Sequence, residues 1–237
     1  MYTNEMLWIL LLVISYLGVI LIYRFFGRAG LYAWVAMSVI LANIQVVKTI
    51  SLFGFVTAEG NIIYSSIYLV TDILNENYGK KEAKKAVWIG FFILIMATIT
   101  MQIVLQFIPD QSDTLGGALG QVFGILPRIA LASIIAYLIS QFLEVSLYAK
   151  LKEKMKGRQL WLRNNITSVI AQTIDNIIFT WIAFVGFFGL FGWGQIFEWP
   201  IIISIFFTTI IMKYIVSFFD TFVIYMARKI KPKATSS

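Results

Sequence analysis

Residues 61–87 read NIIYSSIYLVTDILNENYGKKEAKKAV. An apolar run enters from the left, Asp72 appears inside it, and Asn75, Glu76 and Asn77 follow before Tyr78 and Gly79 break the run. Lys80, Lys81, Lys84 and Lys85 come next. An apolar helix that acquires a carboxylate and then a basic exit does not fit the core of a water-soluble domain. A charge at the centre of a bilayer costs on the order of 3 kcal/mol, so such a group must face protein or a water-filled cavity. The stretch reads as a short membrane helix whose polar half is turned towards the interior of a bundle.

The rest of the chain supports a membrane setting. Of its 237 residues, 59% are hydrophobic and 13% charged, too apolar a balance for a soluble domain. Mean hydropathy is +0.83. With no cysteine and no histidine, disulfides, thiolate chemistry and the commonest metal ligand are excluded. No P-loop, metalloprotease helix or nucleophile elbow is present, so neither a self-contained ATPase nor an intramembrane hydrolase is indicated. No cofactor is called for.

Seven apolar segments follow one another at residues 6–23, 30–55, 61–75, 86–108, 122–149, 166–191 and 199–227. Most exceed the ~20 residues needed to cross a bilayer. The first lacks a basic leader and a cleavage site and reads as a retained helix. Sixteen of the nineteen Lys and Arg residues follow segments one, three, five and seven, from Arg24 and Arg28 to Lys231 and Lys233. The alternate connections, at residues 56–60, 109–121 and 192–198, carry none. The positive-inside rule then sets the N-terminus outside and the C-terminus in the cytoplasm. The net charge of +7 is on this reading a topology signal with contacts to anionic lipid, and no nucleic-acid partner is expected.

Three cations remain inside the segments, Lys48, Arg128 and Lys213, with four acids, Asp72, Glu144, Asp175 and Asp220. Gln172 and Asn176 flank Asp175 on one helical face, Gln141 lies three residues before Glu144, and Asn43 and Gln45 precede Lys48. Polar stripes on five helices point to a polar interior. Structural roles compete: a bundle-fixing ion pair for Lys213 and Asp175, snorkelling or an interfacial pair for Glu144, Asp220 and Arg128, and helix bending for Asp72.

The run VTDILNENYGKKEAKKAV resembles a signature of the queuosine precursor transporter family, which is grouped with vitamin-uptake transporters. The family pattern T-D-[IL]-x-x-E-x-[YF]-G-[RK] is met by Thr71, Asp72, Ile73, Glu76, Tyr78, Gly79 and Lys80. Residues 128–152, led by Arg128 with Gln141 and Glu144, resemble a second block of that family. Residues 166–184, with Gln172 and Asp175, resemble a third, and Lys213 in the last helix also fits. The seven segments read as an all-α integral membrane protein of seven transmembrane helices, one more than the six-helix core that the resemblance implies. Residues 1–29 would form an extra N-terminal helix and basic loop. Residues 30–237 would form a six-helix core similar to the substrate-binding subunits of energy-coupling-factor transporters.

What the resemblance implies in function is import of a 7-deazaguanine base, a precursor of queuosine, across the bacterial cytoplasmic membrane, with an energy-coupling ATPase module as a possible partner. The chemistry agrees. A guanine-like edge offers adjacent N–H and NH2 donors that a carboxylate such as Asp175 or Asp72 accepts, while Lys213, Asn176, Asn43 or Gln141 supply donors to its acceptors. Tyr64, Tyr68, Phe179 and Trp181 offer stacking faces, and Glu144 or Asp72 suits an aminomethyl cation. The candidate substrate-binding set is Asn43, Lys48, Tyr68, Asp72, Arg128, Gln141, Glu144, Gln172, Asp175, Asn176 and Lys213. The alternatives are carriage of another purine-like or vitamin-like solute, and a non-transporting binding or assembly subunit.

Overall fold

The computed structural model describes residues 3–186 and 192–230. Residues 187–191, at the end of the sixth expected segment, and the tail cations Lys231 and Lys233 lie outside the described residues. The architecture is all-α apart from one small hairpin: helices α1 (Asn4–Gln45), α2 (Asn61–Tyr78), α3 (Lys80–Val104), α4 (Gly116–Gly124), α5 (Leu126–Lys154), α6 (Leu160–Thr180) and α7 (Trp199–Lys229), with strands β1 (Thr49–Leu52) and β2 (Phe55–Ala58) between α1 and α2. Five helical stretches among the described residues are long and apolar enough to cross a membrane.

Helix α1 is a folded-back pair. Thr3 caps its first turn by accepting from the Met6 N–H, and Gly27, with φ 57° and ψ −140°, interrupts it. Only glycine enters that region without strain. A side chain at Gly18 would strike the Trp34 ring at 2.5 Å. In a straight helix residues 18 and 34 would stand about 24 Å apart. The two arms, 4–26 and 28–45, therefore lie side by side.

The second expected segment ends early. Its helix stops at Gln45, and the rest of the apolar run becomes the antiparallel hairpin, with Thr49 opposite Ala58 and Leu52 opposite Phe55. Phe53 and Gly54 form the two-residue loop, and both have positive φ, as a type I′ turn requires. Asn4 donates to the Ser51 carbonyl at 2.8 Å, and the Phe53 N–H donates to the Glu5 carboxylate at 2.9 Å, tying the hairpin to the start of α1. Lys48, placed in helix two by its apolar neighbours, sits instead on the exposed link before β1.

Helix α2 is the axis of the bundle, and every residue from Ile62 to Asn75 except Tyr64 is buried. It touches α1, α3, α5 and α7. Because lipid tails are as apolar as leucine, side-chain packing and polar links must hold such a helix in place. Tyr68 donates to Ser140 at 2.8 Å, Thr71 to Gln141 at 3.2 Å, and Asn75 to the Val145 carbonyl at 3.0 Å. Positions 68, 71 and 75 share one helical face, so α2 is zipped to α5 along about two turns. Gly79, at φ 90° and ψ 170°, then breaks the chain into α3.

At the basic end, Glu76 gathers charge from three helices. Arg163 reaches its Oε2 at 2.5 Å, Lys152 at 3.4 Å, and Arg228 meets Oε1 at 3.3 Å. Tyr148 donates to the same carboxylate, and Lys152 also caps the Glu76 carbonyl at 2.6 Å. The signature glutamate is thus a structural tie in this structure, with Arg163 fully buried against it.

Candidate functional site

Asp175 on α6 lies at the centre of the polar interior. Lys213 from α7 approaches its Oδ2 at 2.7 Å, and the two side chains are 5% and 2% exposed. Tyr64 from α2 donates to Oδ1 at 2.6 Å, and Ser140 from α5 donates to the same oxygen at 3.1 Å. The Lys213 ammonium also stands 5.0 Å over the Tyr64 ring. Four helices therefore fix one carboxylate. Its pairing neutralises a charge that could not be held alone in this setting.

Above this pair, towards the hairpin, lies a narrow cleft with a cavity volume of about 50 Å³. Its walls include Asn43 of α1 and Val46 just after it, Glu59 and Gly60 after β2, Asn61 and Tyr64 of α2, Ser133 of α5, Phe179 of α6, Phe184 and Thr209. Asp175 and Lys213 line it as well. Lys213 carries three donors and spends one on Asp175, so the pair offers a donor beside an acceptor.

The sequence-derived residues divide into three groups. Asn43, Asp175 and Lys213 line the cleft, and Tyr68 stands behind it, edge-on to Tyr64 with ring centres 5.9 Å apart. A second group is buried off the cleft lining. Asp72, Gln141, Glu144 and Gln172 are all at most 1% exposed, with Glu144 accepting from Thr167 at 3.1 Å and Ser168 at 2.9 Å. Asn176 donates to the Phe206 carbonyl at 3.0 Å. Asp72 Oδ1, Glu144 Oε2, Gln141 Nε2 and both amide atoms of Gln172 are buried with no hydrogen-bond partner.

The third group stands apart. Lys48 is exposed on the link to the hairpin. Arg128 donates to the Ile182 carbonyl at 3.3 Å and to the Gly194 carbonyl at 2.8 Å, pinning the π-helical turn Trp181–Val185 to the segment before α7. Trp181, a candidate stacking ring, is 45% exposed and not among the cleft residues. Among the described residues no cluster of three or more acidic, histidine or cysteine side chains is placed to hold a metal ion.

Two contributors escaped the sequence reading. Ser140 had no signal beyond its place one turn before Glu144. Glu59 had one: it is the only acid in the connection before α2, but that connection stood out chiefly for its lack of cations.

A polar, aromatic-walled cleft inside a bundle of helices apolar enough to cross a membrane is the setting of a small-molecule site in a membrane protein. The chain belongs to the family described as "Putative vitamin uptake transporter", whose model matches residues 58–227. It is 40% identical over 230 residues to a Bacillus subtilis (strain 168) protein named "Probable queuosine precursor transporter", covering 97% of this chain and 96% of the relative. It is also 27% identical to the Escherichia coli (strain K12) "Queuosine precursor transporter", over 60% of this chain and 62% of that one. A Haemophilus influenzae relative named "Probable queuosine precursor transporter" is 24% identical over 56% of this chain and 54% of its own. No solved structure matches the chain.

Proposed function

We propose that this protein imports a queuosine precursor, a 7-deazaguanine base, and that the cleft above Asp175 is where the base binds. The observation that carries the reading is the Lys213–Asp175 pair on the cleft wall. A guanine-like ring presents a carbonyl next to an N–H, an acceptor beside a donor. Lys213 and Asp175 present the complement in the same order, and Tyr64, Phe179 and Phe184 supply aromatic faces for the ring. A buried site built this way rejects analogues that leave its polar groups unpaired. The relatives' names support the same substrate class.

The two arms of α1 together with α2, α3, α5, α6 and α7 make seven spans on this reading, with residues 1–29 added to a core of residues 30–237. The cation census supports a bacterial cytoplasmic-membrane protein with the hairpin end outside and the Lys80–Lys85 end inside, in contact with anionic lipid. The cleft then faces the side from which the base arrives. The first arm of α1 packs Trp8 and Leu12 against Leu52, Ile62, Met212 and Val216, which supports a fixed part of the bundle over a detachable one. An energy-coupling ATPase, if it binds, would meet the basic end.

Uptake of labelled base in cells unable to synthesise it, read as queuosine content of tRNA, tests the proposal. The gene is expected to restore queuosine, and Asp175→Asn to abolish restoration with membrane expression intact. Unchanged queuosine content with the native gene would refute the reading. Competition by guanine, preQ0, preQ1 and queuine separates it from carriage of another purine-like solute.

A further inference from the structure

The hairpin end of the cleft carries a charge that the Lys213–Asp175 pair does not use. Glu59 follows β2, where its backbone N–H donates to the Lys48 carbonyl at 2.7 Å. Its Oε2 accepts from the Gly60 N–H at 2.7 Å, which holds the carboxylate at the cleft wall. Among the described residues no Lys or Arg nitrogen lies within ion-pairing distance of it, since the ion pairs formed use Glu76, Glu82 and Asp175. The charged cleft residues are thus Glu59, Asp175 and Lys213, two acids against one cation. One negative charge is left over.

A neighbouring group is also left over. Asn43 lines the same cleft, is 5% exposed, and donates one amide N–H to the Val39 carbonyl at 2.8 Å. Its Oδ1 is buried with no partner. Gly60 presses the two groups into one wall: a β-carbon built there would come within 2.9 Å of the Ala42 carbonyl, next to Asn43. A buried acceptor without a donor is costly unless the site is completed by something that donates. A carboxylate with no cation beside it and an amide oxygen with no donor are what a primary ammonium with its three N–H groups satisfies.

We infer that Glu59 and Asn43 form a subsite for a positively charged amino arm, so that the preferred substrate is the flat base carrying a primary ammonium and not its neutral counterpart. The inference rests on the transport reading above and deepens it. A neutral arm, such as a nitrile, brings an acceptor to two acceptors and leaves the charge uncompensated. The ammonium arm completes the charge balance of the cleft.

The test is the affinity of the purified full-length protein for two matched ligands, 7-aminomethyl-7-deazaguanine and 7-cyano-7-deazaguanine, by titration calorimetry. The ammonium-bearing base is expected to bind about tenfold more tightly, the worth of about 1.4 kcal/mol. Glu59→Gln is expected to bring the ratio of the two dissociation constants close to one. Because Glu59 is partly exposed, raising the salt concentration should also narrow the ratio in the native protein. Equal affinities in the native protein, or a ratio that survives Glu59→Gln, would overturn the subsite and leave the transport reading standing. Binding of neither base would refute that reading and the subsite together.

Discussion

Replacing Lys213 with methionine probes the centre of the site most directly. The lysine and Asp175 side chains are 5% and 2% exposed and 2.7 Å apart, so the change leaves a buried carboxylate with only Tyr64 and Ser140 as donors. Removing one partner of such a pair destabilises by about 3–5 kcal/mol, whereas removing both is often neutral or better. Lys213→Met should lower the unfolding free energy in mixed micelles by that amount, and adding Asp175→Asn should recover most of it. Binding behaves differently. On the proposed binding mode, a charge-assisted bond from the lysine to the ring carbonyl would be worth about 1.5–3 kcal/mol, or about 10- to 150-fold in affinity, and the double variant should not regain it. Calorimetric affinity and chemical unfolding of the native, single and double variants supply both numbers. A double variant that binds the base as the native protein does would show that the pair only holds helices together. A single variant within about 1 kcal/mol of native stability would remove the premise that the charges depend on each other.

Three further outcomes follow from other parts of the bundle. Gly79→Ala adds a methyl that meets nothing within 4 Å, yet forces a residue into φ 90°, ψ 170°; stability should fall by about 1–3 kcal/mol, and a change below about 0.5 kcal/mol in unfolding would contradict the assigned backbone strain. Arg128→Met removes both carbonyl ties between the π-helical turn and the segment before α7; proteolysis there should quicken severalfold, with affinity for the base reduced less than by Lys213→Met, and a larger loss of affinity would return Arg128 to the site. Glu144→Gln keeps an oxygen for Thr167 and Ser168 while deleting a carboxylate that has no cation beside it; stability should rise by about 1 kcal/mol, and a loss of stability would mean that the carboxylate has a partner.

Much of the bundle was legible because intramembrane polarity is costly and therefore informative. Asp72 and Asn75 inside an apolar run predict a helix buried by its own protein, and α2 is that helix. The Arg24–Arg28 break predicts a reversal, and the chain reverses at Gly27. The hairpin was not legible, since TISLFGFVTA is a continuous apolar run that extends a helix or pairs as strands equally well by composition. Gly54 and the β-branched residues on either side were the available signals. Lys48 was misplaced for the same reason. Arg128 looked like a site residue because sequence cannot tell a cation aimed at substrate from one aimed at carbonyls 54 and 66 residues away. Glu59 went unnoticed because its value depends on Asn43, a neighbour only once α1 and the hairpin are folded together.

The tie at Glu76 has a bearing on how the molecule can move. One carboxylate fastens α2 to α5, α6 and α7 at the end opposite the cleft, through Lys152, Arg163 and Arg228. Water or solute passing towards that end must first part those helices. Of the three contacts the Arg163–Glu76 pair is the one buried on both sides, so parting the helices requires both of its charges to be rehydrated or re-paired. On the transport reading proposed above, the resting state is therefore the one with the hairpin side accessible, and undoing the Glu76 tie is a step that delivery requires.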